Sequence, residues 1–224
     1  MSQQEKQLTE KESLDLITQM INKAKDACHD TGITAIMWGT VIAVCSLIRL
    51  SELHFGFRLP FDIYLLTLVA VLPQIYFSIK EKKERKVKAY GDAFMDYLWL
   101  GFGICIFLLV FITSVMFRGW EPMADRYAEL TQLPASFKLY EYNASLFLLL
   151  YGLPTFVTGT SMKFRPMLWG GLFCWACCIV SLYTNVKIDL LLTALSSVFA
   201  WLIPGIIMEK DYRKAKKELA GANV

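Results

Sequence analysis

Six apolar runs, each roughly 18 to 24 residues long and set apart by short polar segments, constrain this chain more than any other feature. A helix rises about 1.5 Å per residue, so ~20 apolar residues cross ~30 Å of hydrocarbon. Hydrophobic residues make up 55% of the 224 positions, above the ~45–50% of a soluble domain. The pattern predicts an all-α fold: a polytopic membrane protein with six transmembrane helices in three hairpins, preceded by a cytosolic amphipathic helix. The expected spans are 33–50, 61–79, 94–117, 143–162, 167–184 and 190–208, with a helical preamble over 1–32 and a basic tail over 209–224.

Charge sets the orientation. Lys80, Lys82, Lys83, Arg85, Lys86 and Lys88 lie in one loop between two runs, and short loops rich in Lys and Arg stay on the cytoplasmic side. With that loop inside, 17 of the 23 Lys and Arg residues are cytoplasmic and six are outside. Both termini are then cytoplasmic. The same six residues are placed to touch anionic lipid headgroups. The first thirty residues are charged and have no apolar stretch of signal-peptide type, so the first span is expected to act as its own insertion signal.

Within the preamble, Thr9 and Glu12 have capping-box spacing. Leu14, Ile17, Ile21 and Ala24 then recur at steps of three or four, which draws one apolar stripe on a charged helix. The stripe can rest on the membrane surface or dock a cytosolic partner.

Each expected hairpin carries the same punctuation: a Trp with Gly early in the outgoing helix and a Pro late in the returning one. These are Trp38 with Pro73, Trp99 with Pro154, and Trp169 with Pro204. The Trp-to-Pro spacing is 35 residues in the first and third hairpins and 55 in the second, which also contains the long outer segment 118–142. The pattern is that of three parallel copies of a two-helix unit, hinged or kinked at Pro73, Pro154 and Pro204. Its alternative is the ordinary clustering of Trp at membrane interfaces, which makes Trp38, Trp99, Trp169 and Trp120 interfacial anchors. In the outer segment, Pro122 suits the first turn of a helix lying flat on the outer leaflet, with Met123, Tyr127 and Leu130 on one side.

Five of the six cysteines fall inside apolar runs and read as reduced thiols. Cys174, Cys177 and Cys178 could offer soft ligands to a metal, but with no completing His or Cys they join Gly170 and Ser181 in a stripe of small residues. Such a stripe lets helices approach closely in lipid. Gly152, Thr155 and Gly159 mark a matching small face on the fourth span. No ionisable residue lies near the centre of a span, and no Walker loop, zinc-protease helix, nucleophile elbow or carboxylate pair occurs. No catalytic residue, metal or cofactor is therefore expected.

Residues 8–21, running into Trp38-Gly39, resemble the start of a family of small, uncharacterised bacterial inner-membrane proteins, in which a short cytosolic helix precedes several spans. The resemblance implies a bacterial cytoplasmic membrane and a cytosolic regulatory partner. It brings no catalytic residue with it. The expected function is that of a non-enzymatic multipass protein, an anchor or regulatory component working through cytosolic partners. The alternative is a transporter or channel for a neutral or lipid-like solute. Expected partners are the bilayer, anionic lipid at the cytoplasmic face, a cytosolic protein and, as an option, further copies of the chain; nucleic acid is not among them.

Overall fold

The computed structural model describes residues 31–84, 90–133 and 139–221, and it is 88% helical, with no strand among the described residues. Among the described residues seven α-helices follow in order: α1 (Ile33–Phe55), α2 (Leu65–Glu84), α3 (Tyr90–Thr131), α4 (Asn143–Ser161), α5 (Arg165–Ser181), α6 (Val186–Ser197) and α7 (Ile203–Gly221). A short 3₁₀ turn, Leu139–Tyr142, leads into α4, and one π turn, Val198–Leu202, joins α6 to α7 without a break. Among the described residues four helical stretches are long and apolar enough to cross a bilayer: Ile33–Phe55, Phe94–Thr131, Tyr140–Ser161 and Val186–Lys217. The apolar parts of α2 and α5, Leu65–Lys80 and Arg165–Ser181, are shorter. The all-helical architecture with these four stretches is compatible with a helical membrane protein.

Helix ends follow local chemistry. Gly32 stands at the N-cap of α1, and Gly56, with φ of 73°, closes it by donating to the Glu52 carbonyl. That left-handed geometry suits glycine, which has no Cβ to clash. α1 therefore runs five residues beyond the expected Leu50. Pro166 occupies the first turn of α5, where its missing N–H costs nothing.

The expectation for Pro122 is corrected. It does not begin a separate helix on the outer leaflet but lies inside α3, which continues unbroken to Thr131. Proline's fixed φ lies in the helical range, and its cost inside a helix is one backbone hydrogen bond and a ring clash with the carbonyl one turn back. At 42 residues, α3 is about 63 Å long, twice the hydrocarbon thickness.

The core forms where α1, α4, α5 and the α6–α7 pair meet. Ile42, Tyr151, Met167, Cys174, Ala200 and Trp201 are buried there. α2 packs mainly on α1, and α3 mainly on α4.

Candidate functional site

Glycines bring the core helices to backbone contact. A Cβ on Gly39 would lie 2.6 Å from the Leu202 nitrogen, one on Gly170 2.6 Å from Ala200 Cα, and one on Gly159 2.3 Å from the Leu168 nitrogen. Small residues permit this approach, and in lipid the resulting van der Waals contact drives association.

The site best defined by its hydrogen bonds is the Trp201 seam at the middle of this core. The π turn precedes Pro204, which has no N–H to give, and the Ile203 N–H reaches back to the Val198 carbonyl. Trp201 is thereby held pointing inward, and its Nε1 donates to Thr155 Oγ1 at 2.8 Å. Thr155 Oγ1 in turn donates a hydrogen bond to the Tyr151 carbonyl at 2.7 Å. The Trp201 ring meets Tyr151 at a centroid distance of 4.8 Å and Phe102 at 6.1 Å. A buried indole N–H without a partner would be costly, so Thr155 satisfies the one polar atom of a large apolar group.

Beside this seam the predicted small-residue stripe of α5 divides between two neighbours. Gly170 faces the π turn, and the Cys174 and Cys177 thiols turn toward the Ser196 hydroxyl of α6. Ser196 has no well-formed hydrogen bond of its own. Cys178 and Ser181 face α4 instead: Cys178 Sγ donates to the Ser145 carbonyl at 3.2 Å, and Ser181 Oγ lies 2.7 Å from Ser145 Oγ. On α4, Gly152 meets the Trp175 ring and Gly159 the start of α5, while Thr155 serves Trp201. Cys174, Cys177 and Cys178 do not converge on a metal position, and among the described residues no group of three His, Cys, Asp or Glu side chains does so.

The other sequence-selected residues scatter. Pro154 and Pro204 are fully buried inside helices, and Pro73 is half-buried within α2. Of the proposed interfacial tryptophans, Trp169 is 65% exposed. Trp38 donates Nε1 to Gln74 Oε1 at 3.0 Å, tying α1 to α2 next to Pro73. Trp99 packs edge-on against Phe102 and Trp201, and Trp120 is half-buried on α3. Lys80, Lys82 and Lys83 close the end of α2, with the Lys80 side chain exposed. Leu14, Ile17, Ile21, Ala24, Arg85, Lys86 and Lys88 lie outside the described residues.

Two features escaped the sequence reading. Trp201 lies deep within a run rather than at its end, and that position alone signals a buried N–H needing a partner. Asp189, in the first turn of α6, is only 2% exposed. Thr184 donates to its Oδ1, while Oδ2 has no partner. Its place beside a turn gives no sign of burial in the sequence; the packing of α6 against its neighbours encloses it. At the same end, Glu52 accepts from Arg49 and from the Leu59 N–H, both at 2.8 Å. This leaves His54 with an edge contact to Phe55.

No protein-family model, curated protein or solved structure matches this chain.

Proposed function

We propose that the protein is a non-enzymatic membrane anchor or regulatory component, one that works through its outer faces and cytosolic ends rather than through a path in its interior. The observation that carries this reading is the filled core. Where a solute would have to pass between α1, α4, α5 and α6–α7, backbones touch at Gly39, Gly159 and Gly170, and Trp201 with Tyr151 occupies the remaining space. The prolines proposed as hinges at positions 154 and 204 are locked inside this packing. That weighs against the alternative, passage of a neutral or lipid-like solute.

Six crossings in three hairpins are part of this proposal. α5 is short, yet it lies beside α4 along its whole length, from Leu168 at Gly159 to Ser181 at Ser145. α2 accompanies α1 in the same way, from Tyr64 at Ser46 to Gln74 at Trp38. Each therefore passes through the same depth as a helix long enough to span. The basic features also gather at one end: the Lys163–Arg165 turn, the α7 tail with Lys210 and Arg213, and Lys80 on α2 all lie at the Gly32 end of the bundle. This distribution favours cytoplasmic termini, with that end against anionic lipid; a bacterial inner membrane is part of the proposal.

The test is purification from native membranes in mild detergent of the full chain and of a chain lacking residues 1–30, followed by mass spectrometry. A cytosolic protein present with the first and missing from the second is the expected result. An identical set with both would overturn the assignment of the preamble as the docking element.

A further inference from the structure

The bundle buries two carboxyl side chains among the described residues at the end away from Gly32, and it treats them differently. Glu52 is held by Arg49 and by the Leu59 N–H. Asp189, in the first turn of α6, is equally enclosed but pairs with no Lys or Arg among the described residues. The elements packed on α6 bring few titratable groups to this end. From α1 come Arg49 and Glu52, which bond each other, and His54, whose contact is with Phe55. From α5 comes the Cys178 thiol, which is engaged by the Ser145 carbonyl. Lys187, in the same turn as Asp189, is exposed. Glu141, in the turn before α4, is the one charged group that acts on Asp189 electrostatically, and its charge has the same sign.

The hydrogen bonds say how such a group is tolerated. The Thr184 hydroxyl lies between Asp189 Oδ1 and the Val180 carbonyl, the latter at 3.3 Å, and it has one proton to give. With Asp189 ionised, Oδ1 takes that proton, the Val180 carbonyl loses it, and Oδ2 is left charged and bare. A buried anion in that state is among the costliest groups a protein can hold. The dipole of α6 favours an anion at its first turn, yet the Ile188 N–H is turned to Asn185 Oδ1 and that of Asp189 to the Asn185 carbonyl. With a proton on Oδ1, Asp189 donates to Thr184 and Thr184 donates to Val180. Oδ2 is then the carbonyl oxygen of a neutral acid, for which a missing partner costs far less.

We infer that Asp189 is a proton-binding site, loaded on Oδ1 at neutral pH and donating to Thr184, while the more exposed Glu141 carries the charge of the pair. A hard cation does not replace the proton, because it asks for about six oxygen ligands and Oδ2 is the only oxygen of Asp189 without a partner. Emptying the site places a charge where α6 packs on α1, so this end of the bundle responds to pH on its own side of the membrane.

Infrared spectra of the full chain in lipid particles test this. Solvated carboxyl groups, which titrate near pH 4, are ionised at pH 7, so the carbonyl stretch of a neutral acid reports a bound proton. The expected result is such a band at pH 7 that shifts on ¹³C labelling of the aspartate carboxyl groups, disappears reversibly as the pH is raised, and is absent from Asp189→Asn. Thr184→Val, which removes the acceptor, should move the band; this ties it to the site even if Asp189→Asn fails to fold. No band at pH 7, a band that the aspartate label leaves in place, or one that persists in folded Asp189→Asn overturns the inference. So does a band that emerges only after Na⁺ and divalent cations are removed, which would put a cation in the proton's place. Stability gives an independent reading. While the folded site is loaded and the unfolded chain ionised, each pH unit should lower the folding constant about tenfold relative to Asp189→Asn. The melting temperature of the unsubstituted chain should therefore fall as pH rises against that of the variant, and parallel curves would contradict a bound proton.

Discussion

α5 and α3 rank in opposite order by apolar length and by burial. The 17 residues of α5 include six that are buried, whereas Thr113 is the only buried residue among the described side chains of the 42-residue α3. Only 6% of the most apolar window of α3 is covered within the chain, against 44% for α4. Lipid tails are as apolar as leucine, so apolar length records what the bilayer requires of a segment and says little about its neighbours. Contact between helices is recorded instead by small residues placed where backbones meet. Gly170 and Gly119 make the distinction directly: a Cβ at the first strikes Ala200 Cα at 2.6 Å, and at the second it enters open space.

The contrast is most strongly tested by truncating its centre. Trp201→Ala should destabilise the protein by about 3–5 kcal/mol, because it empties the middle of the core and strips Thr155 of its donor; a thermal melt in detergent checks this. Gly39→Ala should cost about 1–3 kcal/mol by overpacking, since Leu202 backbone atoms on one side and the α1 backbone on the other leave no flexible group to yield. A melting temperature unchanged by either substitution would remove the distinction between core and outlying helices. Gln74→Leu should cost less, about 0.5–1.5 kcal/mol, and should act on α2 alone. Faster hydrogen exchange in α2 with the core amides unmoved is the expected pattern. The smallest effect is expected at Gly103→Ala, which lies on α3 with open space around its Cα. Here alanine should be neutral or stabilise by up to about 1 kcal/mol, and a loss of stability would reveal a neighbour for that face.

Much of the architecture was legible because the bilayer imposes a coarse rule. A long apolar run has to be helical if its backbone groups are to be satisfied without water, and every expected run contains a helix. Helix ends were less legible. Nothing in the residues before Gly56 foretold that α1 would pass Leu50, or that α3 would continue through Pro122, because both outcomes depend on which competing geometry the next segment permits. The small residues could be read as contact-forming, but their neighbours could not. Gly170 and Ser181 lie on one helix and are separated by a spacing that suggests a common face, yet the first meets the π turn and the second meets α4. A helix held between two others divides its small residues between them, and periodicity along one helix carries no information about how many partners surround it. Asp189 was hidden for a related reason: its burial is a property of the bundle end and not of its own flanking residues.

Cys45, Cys174 and Cys177 are buried within the core, and they test the claim of a filled interior without any substitution. The protein in native membranes is treated with a small water-soluble methanethiosulfonate, and modification at each cysteine is read by mass spectrometry before and after denaturation. The account predicts that these three thiols stay unmodified until the protein unfolds. Labelling of Cys174 in the folded protein would mean that water reaches the Trp201 seam, and it would contradict a function carried by outer faces alone.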